Sequence, residues 1–215
     1  MSVGAIVRRG LGPLERRAIV AYRNRFIDLG ALADTLVAAA PDARRILEIG
    51  CGDGMMADAL LRRLPDAHLL GIDPGMASPG RMYAGDRSRV EFVRWSSGQL
   101  LARHSPAFDL VLLVDVAHHV ADVERAQVLA DAATLTAPGG LLAFKEWERG
   151  PGFASRAAYV ADRYVSGDTT VRFMDRAEID ALLGVAAGGW PVVVEARIPP
   201  RWANLLLVHR RPSSS

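Results

Sequence analysis

Three groups of residues in this chain have types and spacing that could do chemistry. The run Asp115-Val116-Ala117-His118-His119 puts one carboxylate and two imidazoles at the end of an apolar stretch. Histidine takes up and releases a proton near neutral pH, so His118 is a candidate general base or binding group. His119 is read as a structural neighbour beside the following helix. The second group is Glu48-Ile49-Gly50-Cys51-Gly52-Asp53-Gly54, with glycines at alternate positions after the apolar run Ile46-Leu47. Glycines there permit a tight turn and let a ligand approach the backbone, and the turn opens onto a helix N-terminus that favours negative charge. About twenty residues on, Asp73 closes another apolar run, a distance at which an acid can hold both hydroxyls of a ribose. The third group is Lys145-Glu146, ionisable residues closing an apolar run, where they can line a site or form a solvent-exposed ion pair. The exposed pair is the favoured reading. Two adjacent histidines also raise the question of a metal. No third ligand stands at a recognisable spacing, although Glu146 and Glu148 lie at a neighbouring strand end, and none is expected.

The elements that must position these groups alternate. Apolar runs predict strands over 46–49, 67–72, 90–95, 108–114 and 141–147, then 192–198 and 203–210 around Pro199-Pro200. The almost continuous apolar run 108–114 suits a central parallel strand buried on both faces. Helical patterns lie between them: 14–40, split at Asn24 or Gly30, then 55–64, a helix ending near Ala84, 121–135 and 154–165. A last helix begins at Asp175 or Arg176 and reaches Leu183, with Asp175 and Glu178 spaced as an N-cap and its partner. Residues 136–140 read as a turn. This alternation predicts an α/β fold, and the glycine turn with Asp73 predicts a nucleoside-containing cofactor across the carboxyl ends of parallel strands.

A dinucleotide site would want G-x-G-x-x-G, and here Met55 stands where the last glycine should be. The pattern resembles instead the first motif of the class I S-adenosylmethionine (SAM)-dependent methyltransferases. Phe108-Asp109-Leu110-Val111 followed by Ala117-His118-His119, and Leu135-Thr136-Ala137-Pro138-Gly139-Gly140-Leu141, resemble that family's later landmarks, in order. The resemblance spans roughly 46–146. It implies a Rossmann-like, seven-stranded, mostly parallel sheet with helices on both faces and the last strand antiparallel. It implies one domain over 1–215, with an N-terminal helical cap over 1–40 and a substrate-cap insertion over 150–186. For the cofactor, SAM, it implies Glu48, Gly50, Cys51 and Gly52 at the methionine end, Asp73 on the ribose, Pro74 and Met76 beside the adenine, and Asp115 next to the methionine moiety. The family usually places Gly-Asp after the third strand. Trp95-Ser96 stands there instead, so Ser96 and Ser97 take the adenine amino edge. His118, implied to face the acceptor, and His119 are the candidate catalytic residues, with Tyr22, Lys145, Tyr159, Tyr164 and Arg172 as candidate substrate-binding residues.

The resemblance favours a small-molecule acceptor, with O-methylation ahead of N- or C-methylation. Other readings are a non-catalytic SAM-binding module, a nucleotide-sugar or NAD-dependent oxidoreductase, although no Tyr-x-x-x-Lys pair is present, and an RNA methyltransferase using a basic face on the arginine-rich N-terminal helix. The motif Asn-Pro-Pro-Tyr of base- and amide-methylating relatives is absent. A net charge of +2 gives no reason to expect nucleic acid. No apolar run approaches the roughly 20 residues of a membrane span. With Cys51 the only cysteine, no internal disulfide can form, and the expectation is a cytoplasmic monomer or homodimer.

Overall fold

The computed structural model describes residues 24–103, 105, 107–149 and 171–213. Seven strands form one sheet in the order β3-β2-β1-β4-β5-β7-β6. The strands are β1 (Arg45–Ile49), β2 (His68–Ile72), β3 (Val90–Val93), β4 (Phe108–Val114), β5 (Thr136–Trp147), β6 (Val192–Arg197) and β7 (Asn204–Arg210). β1 pairs in parallel with β2 and β4, β2 with β3, and β4 with β5. β7 runs antiparallel to both β5 and β6. The described helices are α1 (Leu29–Ala39), α2 (Met55–Leu61), α3 (Ser97–Leu101), α4 (Asp122–Leu135) and α5 (Arg176–Ala186). The strand order reverses between β1 and β4, which opens a crevice beyond the carboxyl ends of those two strands.

The sheet separates two apolar cores. Ile46, Leu60, Leu110, Leu112 and Ala143 belong to one, and Leu47, Val111, Leu113, Leu129 and Phe144 to the other. Alternate residues of β4 and β5 therefore feed opposite layers, as the period of two requires. Leu110, Val111, Leu112 and Leu113 are all fully buried, each contributing roughly 1.5–3 kcal/mol. That makes β4 the rigid central strand from which the Asp115–His119 turn departs.

Local signals account for most boundaries. α5 begins at Asp175 with a complete capping box: Glu178 donates its backbone N–H to Asp175, and the Asp175 N–H is accepted by the Glu178 carboxylate. α1 is capped by Asp28, whose side chain accepts from Ala31 N at 3.0 Å. The N-terminal helical stretch therefore breaks just after Asn24, and Gly30 sits inside the new helix. Residues 14–23 of that stretch, and the helix expected over 154–165, lie outside the described residues.

Other boundaries differ from expectation. Residues 74–84 form turns, not a helix. Pro74 and Pro79 cannot donate to a helix there. The loop's N–H groups are also taken by the glycine turn, with Gly80 N on Gly52 O at 3.0 Å and Met82 N on Asp53 O at 2.8 Å. β3 stops at Val93, two residues short, because Ser96 caps the short helix α3. The turn expected over 136–140 is the start of β5. Thr136 pairs with Phe108, and after an irregularity the ladder resumes at Leu110 with Leu141.

Candidate active site

The glycine turn follows β1. Gly50 and Gly52 have φ of 73° and 52°, a conformation open to glycine and costly to other residues. A Cβ on Gly50 would stand 2.5 Å from Val116, so the turn after β4 packs directly on the turn after β1. A Cβ on Gly52 would meet nothing within 4 Å. The outer side of this turn is therefore open space bounded by backbone. Cys51 and Glu48 beneath it are buried. Burial, with the Glu48 and Asp73 charges adding to it, pushes the Cys51 thiol well above its usual range, so it is an inert packing group.

Asp73 stands at the end of β2 and closes this turn. One of its oxygens accepts from Gly52 N at 3.0 Å, and the other from Gly75 N at 2.9 Å and Met76 N at 3.0 Å. The carboxylate thus ties the loops after β1 and β2 together while remaining partly exposed beside the open turn. Pro74 is exposed and Met76 half-buried on the same loop.

The second centre lies at the carboxyl ends of β4 and β5. β4 passes into Asp115, the one non-glycine among the described residues with positive φ, at 56°. Aspartate tolerates this conformation better than most side chains. Its backbone N–H reaches Lys145 O at 2.9 Å, and its carboxylate accepts from Lys145 Nζ at 2.6 and 2.7 Å. The Lys145 ammonium is 1% exposed.

Next along β5, Glu146 is equally buried. Its Oε1 accepts from Ala117 N at 2.6 Å, and its Oε2 lies 2.6 Å from His118 Nδ1. Burial alone would raise the Glu146 carboxyl, but the facing His118, the Lys145 charge and the Ala117 N–H together hold it below the usual range. An ionised Glu146 accepts from Nδ1–H, which puts the lone pair of a neutral His118 on Nε2. The His118 ring lies 5.1 Å from the Phe173 ring and 4.1 Å from His119, and Phe173 lies 6.3 Å from Trp147. The dyad therefore sits in an aromatic, largely dry surrounding. There a charge-assisted hydrogen bond is stronger than in water.

Expectation and structure diverge at several residues. Lys145 and Glu146 do not form an exposed pair. They are buried, Lys145 bonding Asp115 and Glu146 bonding His118. The Lys145 side chain, expected on the acceptor, is held by Asp115. Arg172 pairs with Glu178 and lies 3.5 Å from Asp122, so its guanidinium is already matched by acids. Ser96 caps α3, accepting from Gln99 N at 3.2 Å. Ser97 turns inward and donates to the buried Asp131 at 2.7 Å. That hydroxyl proton is committed to the core. Tyr22, Tyr159 and Tyr164 lie outside the described residues. Donor atoms of Asp115, His118 and Glu146 fall within 4.8 Å of one another, supplying the third metal-type donor that spacing alone does not reveal. The Lys145 ammonium already supplies a cation to that cluster, on Asp115. Sequence reasoning missed Glu146 as the partner of His118. The one signal for it was an acid ending an otherwise apolar strand.

Comparison with known proteins agrees with this fold. A family model described as a methyltransferase domain matches residues 47–142. The ubiquinone biosynthesis O-methyltransferase of Hahella chejuensis is 33% identical over 116 residues, covering 53% of this chain and 47% of that protein. The chain thus spans about half the length of the curated relatives it matches. Among solved structures, an O-methyltransferase family protein from Burkholderia thailandensis superposes with a TM-score of 0.66 at 19% identity, over 87% of this chain and 58% of that one. The 1,6-didemethyltoxoflavin-N1-methyltransferase of the same organism, solved with bound 1,6-didemethyltoxoflavin and S-adenosylhomocysteine, gives 0.63 at 18% identity, over 96% and 91%.

Proposed function

We propose that the chain, whose residues 47–142 match a methyltransferase domain, is a class I SAM-dependent methyltransferase that transfers a methyl group from SAM to a hydroxyl oxygen of a small molecule, with His118 as general base. The observation that carries the reading is the buried contact of His118 Nδ1 with Glu146 Oε2 at 2.6 Å. A methyl acceptor that is already a good nucleophile needs no such base, whereas a hydroxyl does.

The residues present fit the cofactor. The open space over Gly52, where a Cβ meets nothing, is the cradle that a backbone-hugging ligand requires. The Asp73 oxygen bonded to Gly52 N has remaining acceptor capacity for a ribose hydroxyl. Asp115, a third exposed, presents acceptor oxygens beside that turn. When bound, SAM supplies a methyl group activated by its sulfonium charge. The protein's part is alignment and proton removal. Gly50, Gly52 and Asp73 hold the cofactor. His118 Nε2 accepts the acceptor's hydroxyl proton. Glu146 fixes the tautomer of His118 and stabilises the imidazolium that forms. Phe173 and Trp147 keep water away from this transfer.

Two measurements test the reading. Calorimetric titration with S-adenosylhomocysteine is expected to give micromolar binding, and the absence of binding would remove the cofactor assignment. In a screen of hydroxylated aromatic acceptors, His118→Gln is expected to lower kcat by about 10²–10⁴-fold, the usual worth of a general base, at unchanged S-adenosylhomocysteine affinity. A full-rate His118→Gln enzyme on a nitrogen acceptor would instead favour N-methylation, as the name of the Burkholderia thailandensis N1-methyltransferase compared above has it for that protein.

A further inference from the structure

The turn that carries His118 is held by more than its own strand. Arg125, in the first turns of α4, is buried to 3% exposure. Its Nε donates to Ala117 O at 2.7 Å and Val120 O at 3.0 Å, the two carbonyls that flank the histidine pair. One terminal nitrogen reaches Arg172 O at 3.2 Å. The other lies 2.7 Å from Asp122 Oδ1, a carboxylate shared with the Arg172 guanidinium. The same strap returns a bond to the histidine itself, with Arg172 N donating to His118 O at 3.0 Å. On either side of Arg172, Val171 and Phe173 are buried, with the Phe173 ring against His118.

From these contacts we infer that Arg125 is a positioning residue for His118. It clamps the histidine turn to the strap 171–174, so that base and acceptor-side wall move as one unit. A guanidinium is the one side chain whose planar fork can bond three carbonyls and a carboxylate together. The Coulomb partner of Arg125 within the clamp is Asp122, more than half exposed and anchored on the same helix. Mere charge neutralisation would have needed only that acid. The three carbonyls belong to the two segments that meet at His118, and they are what single out positioning. The inference rests on the reading of His118 as base, and its test reads the clamp without requiring turnover.

The experiment compares wild type with Arg125→Lys in the full chain. Lysine keeps the charge and can cap the Ala117 and Val120 carbonyls but cannot span to Arg172. Hydrogen–deuterium exchange is expected to quicken at least tenfold together over 117–120 and 171–174, and to stay unchanged over β1 and β4. The ¹⁵N resonances of the His118 imidazole, assigned with His118→Gln, are expected to shift, while S-adenosylhomocysteine affinity stays within twofold. Once an acceptor is in hand, kcat should fall at constant KM for SAM. Unchanged exchange and unchanged His118 resonances would overturn the inference. So would loss of cofactor binding in step with melting temperature, which marks general structural damage. If Arg125→Lys does not fold, Asp122→Ala, on the solvent side of the clamp, is expected to give the same paired exchange change at about threefold, and exchange confined to α4 would overturn the inference. Wild-type protein that fails to bind S-adenosylhomocysteine would count against the methyltransferase reading alone, because the paired exchange result does not depend on it.

Discussion

Replacing Glu146 by glutamine tests the centre of the proposed mechanism, because it keeps shape and removes only charge and one acceptor. Glu146 currently accepts two hydrogen bonds at 2.6 Å, one per oxygen, from Ala117 N and His118 Nδ1. A glutamine has a single carbonyl oxygen. If that oxygen stays with Ala117 N–H, the amide –NH₂ faces Nδ1. The imidazole must then either leave its own N–H unsatisfied or move its proton to Nε2. The first outcome costs about 1–3 kcal/mol for a buried unpaired donor. At about 2–4 °C per kcal/mol for a chain of this size, melting should fall by about 2–12 °C. The second outcome spares stability but removes the lone pair that takes the substrate proton. With that lone pair gone kcat should fall by about 10²–10⁴-fold on a hydroxyl acceptor, and in the first outcome, where only the carboxylate that stabilises the imidazolium is lost, by about tenfold or more. S-adenosylhomocysteine affinity should be unchanged, since Gly50, Gly52 and Asp73 are untouched. The variant should also alter the dependence of stability on pH. The folded Glu146 carboxyl lies below its usual value of 4.5, so its contribution is complete above that pH and lost as pH falls through the folded value. Wild-type stability should therefore drop more steeply with acid below about pH 4.5 than that of the variant. Steady-state kinetics and thermal melts at several pH values read all of this. A variant keeping more than a tenth of wild-type kcat, with melting within 1 °C and an unchanged acid slope, would refute the dyad.

Two further expectations follow from packing. Gly80→Ala places a Cβ 2.1 Å from the Phe92 ring at a φ of 69°, combining a left-handed cost of about 1–2 kcal/mol with overpacking of about 1–3 kcal/mol. Chemical denaturation should show a loss of about 2–5 kcal/mol, and the same change should cost less when made in a Phe92→Ala background; an equal cost in both backgrounds would mean that the strain lies in the backbone alone. Ser97→Ala removes the buried donor to Asp131 and should cost about 1.5–3 kcal/mol of stability with cofactor affinity unchanged within twofold. A fall in affinity at constant melting temperature would return Ser97 to the adenine edge.

Much of the architecture was legible in short windows of sequence, because its causes are short-ranged. The glycine turn is dictated by backbone sterics, and Gly50 and Gly52 adopt the conformations that other residues avoid. The continuous apolar run Phe108–Val114 became the central strand with unchanged bounds. The Asp175 and Glu178 spacing became a complete capping box. Order and hand of the sheet then follow from alternating strands and helices, which restrict the topologies available. The expected helix near Ala84 failed because its N–H groups belong to the glycine turn, a competition that no local window contains.

The candidate site divides along the same line. By itself the sequence determined which chemical groups stand at strand ends: the glycine turn, Asp73, Asp115, the histidine pair and Lys145-Glu146. Only the tertiary structure decided who meets whom. Lys145 and Glu146 are adjacent in the chain, yet they bond Asp115 and His118, about thirty positions away, because β4 and β5 pair with Val114 beside Lys145. Asp73 spends its oxygens first on its own turn, Ser97 turns into the core, and Arg125 reaches across to the strap. Residue type sets what a side chain can donate or accept. Strand register and burial set what it is offered, and in a dry interior those offers select the role.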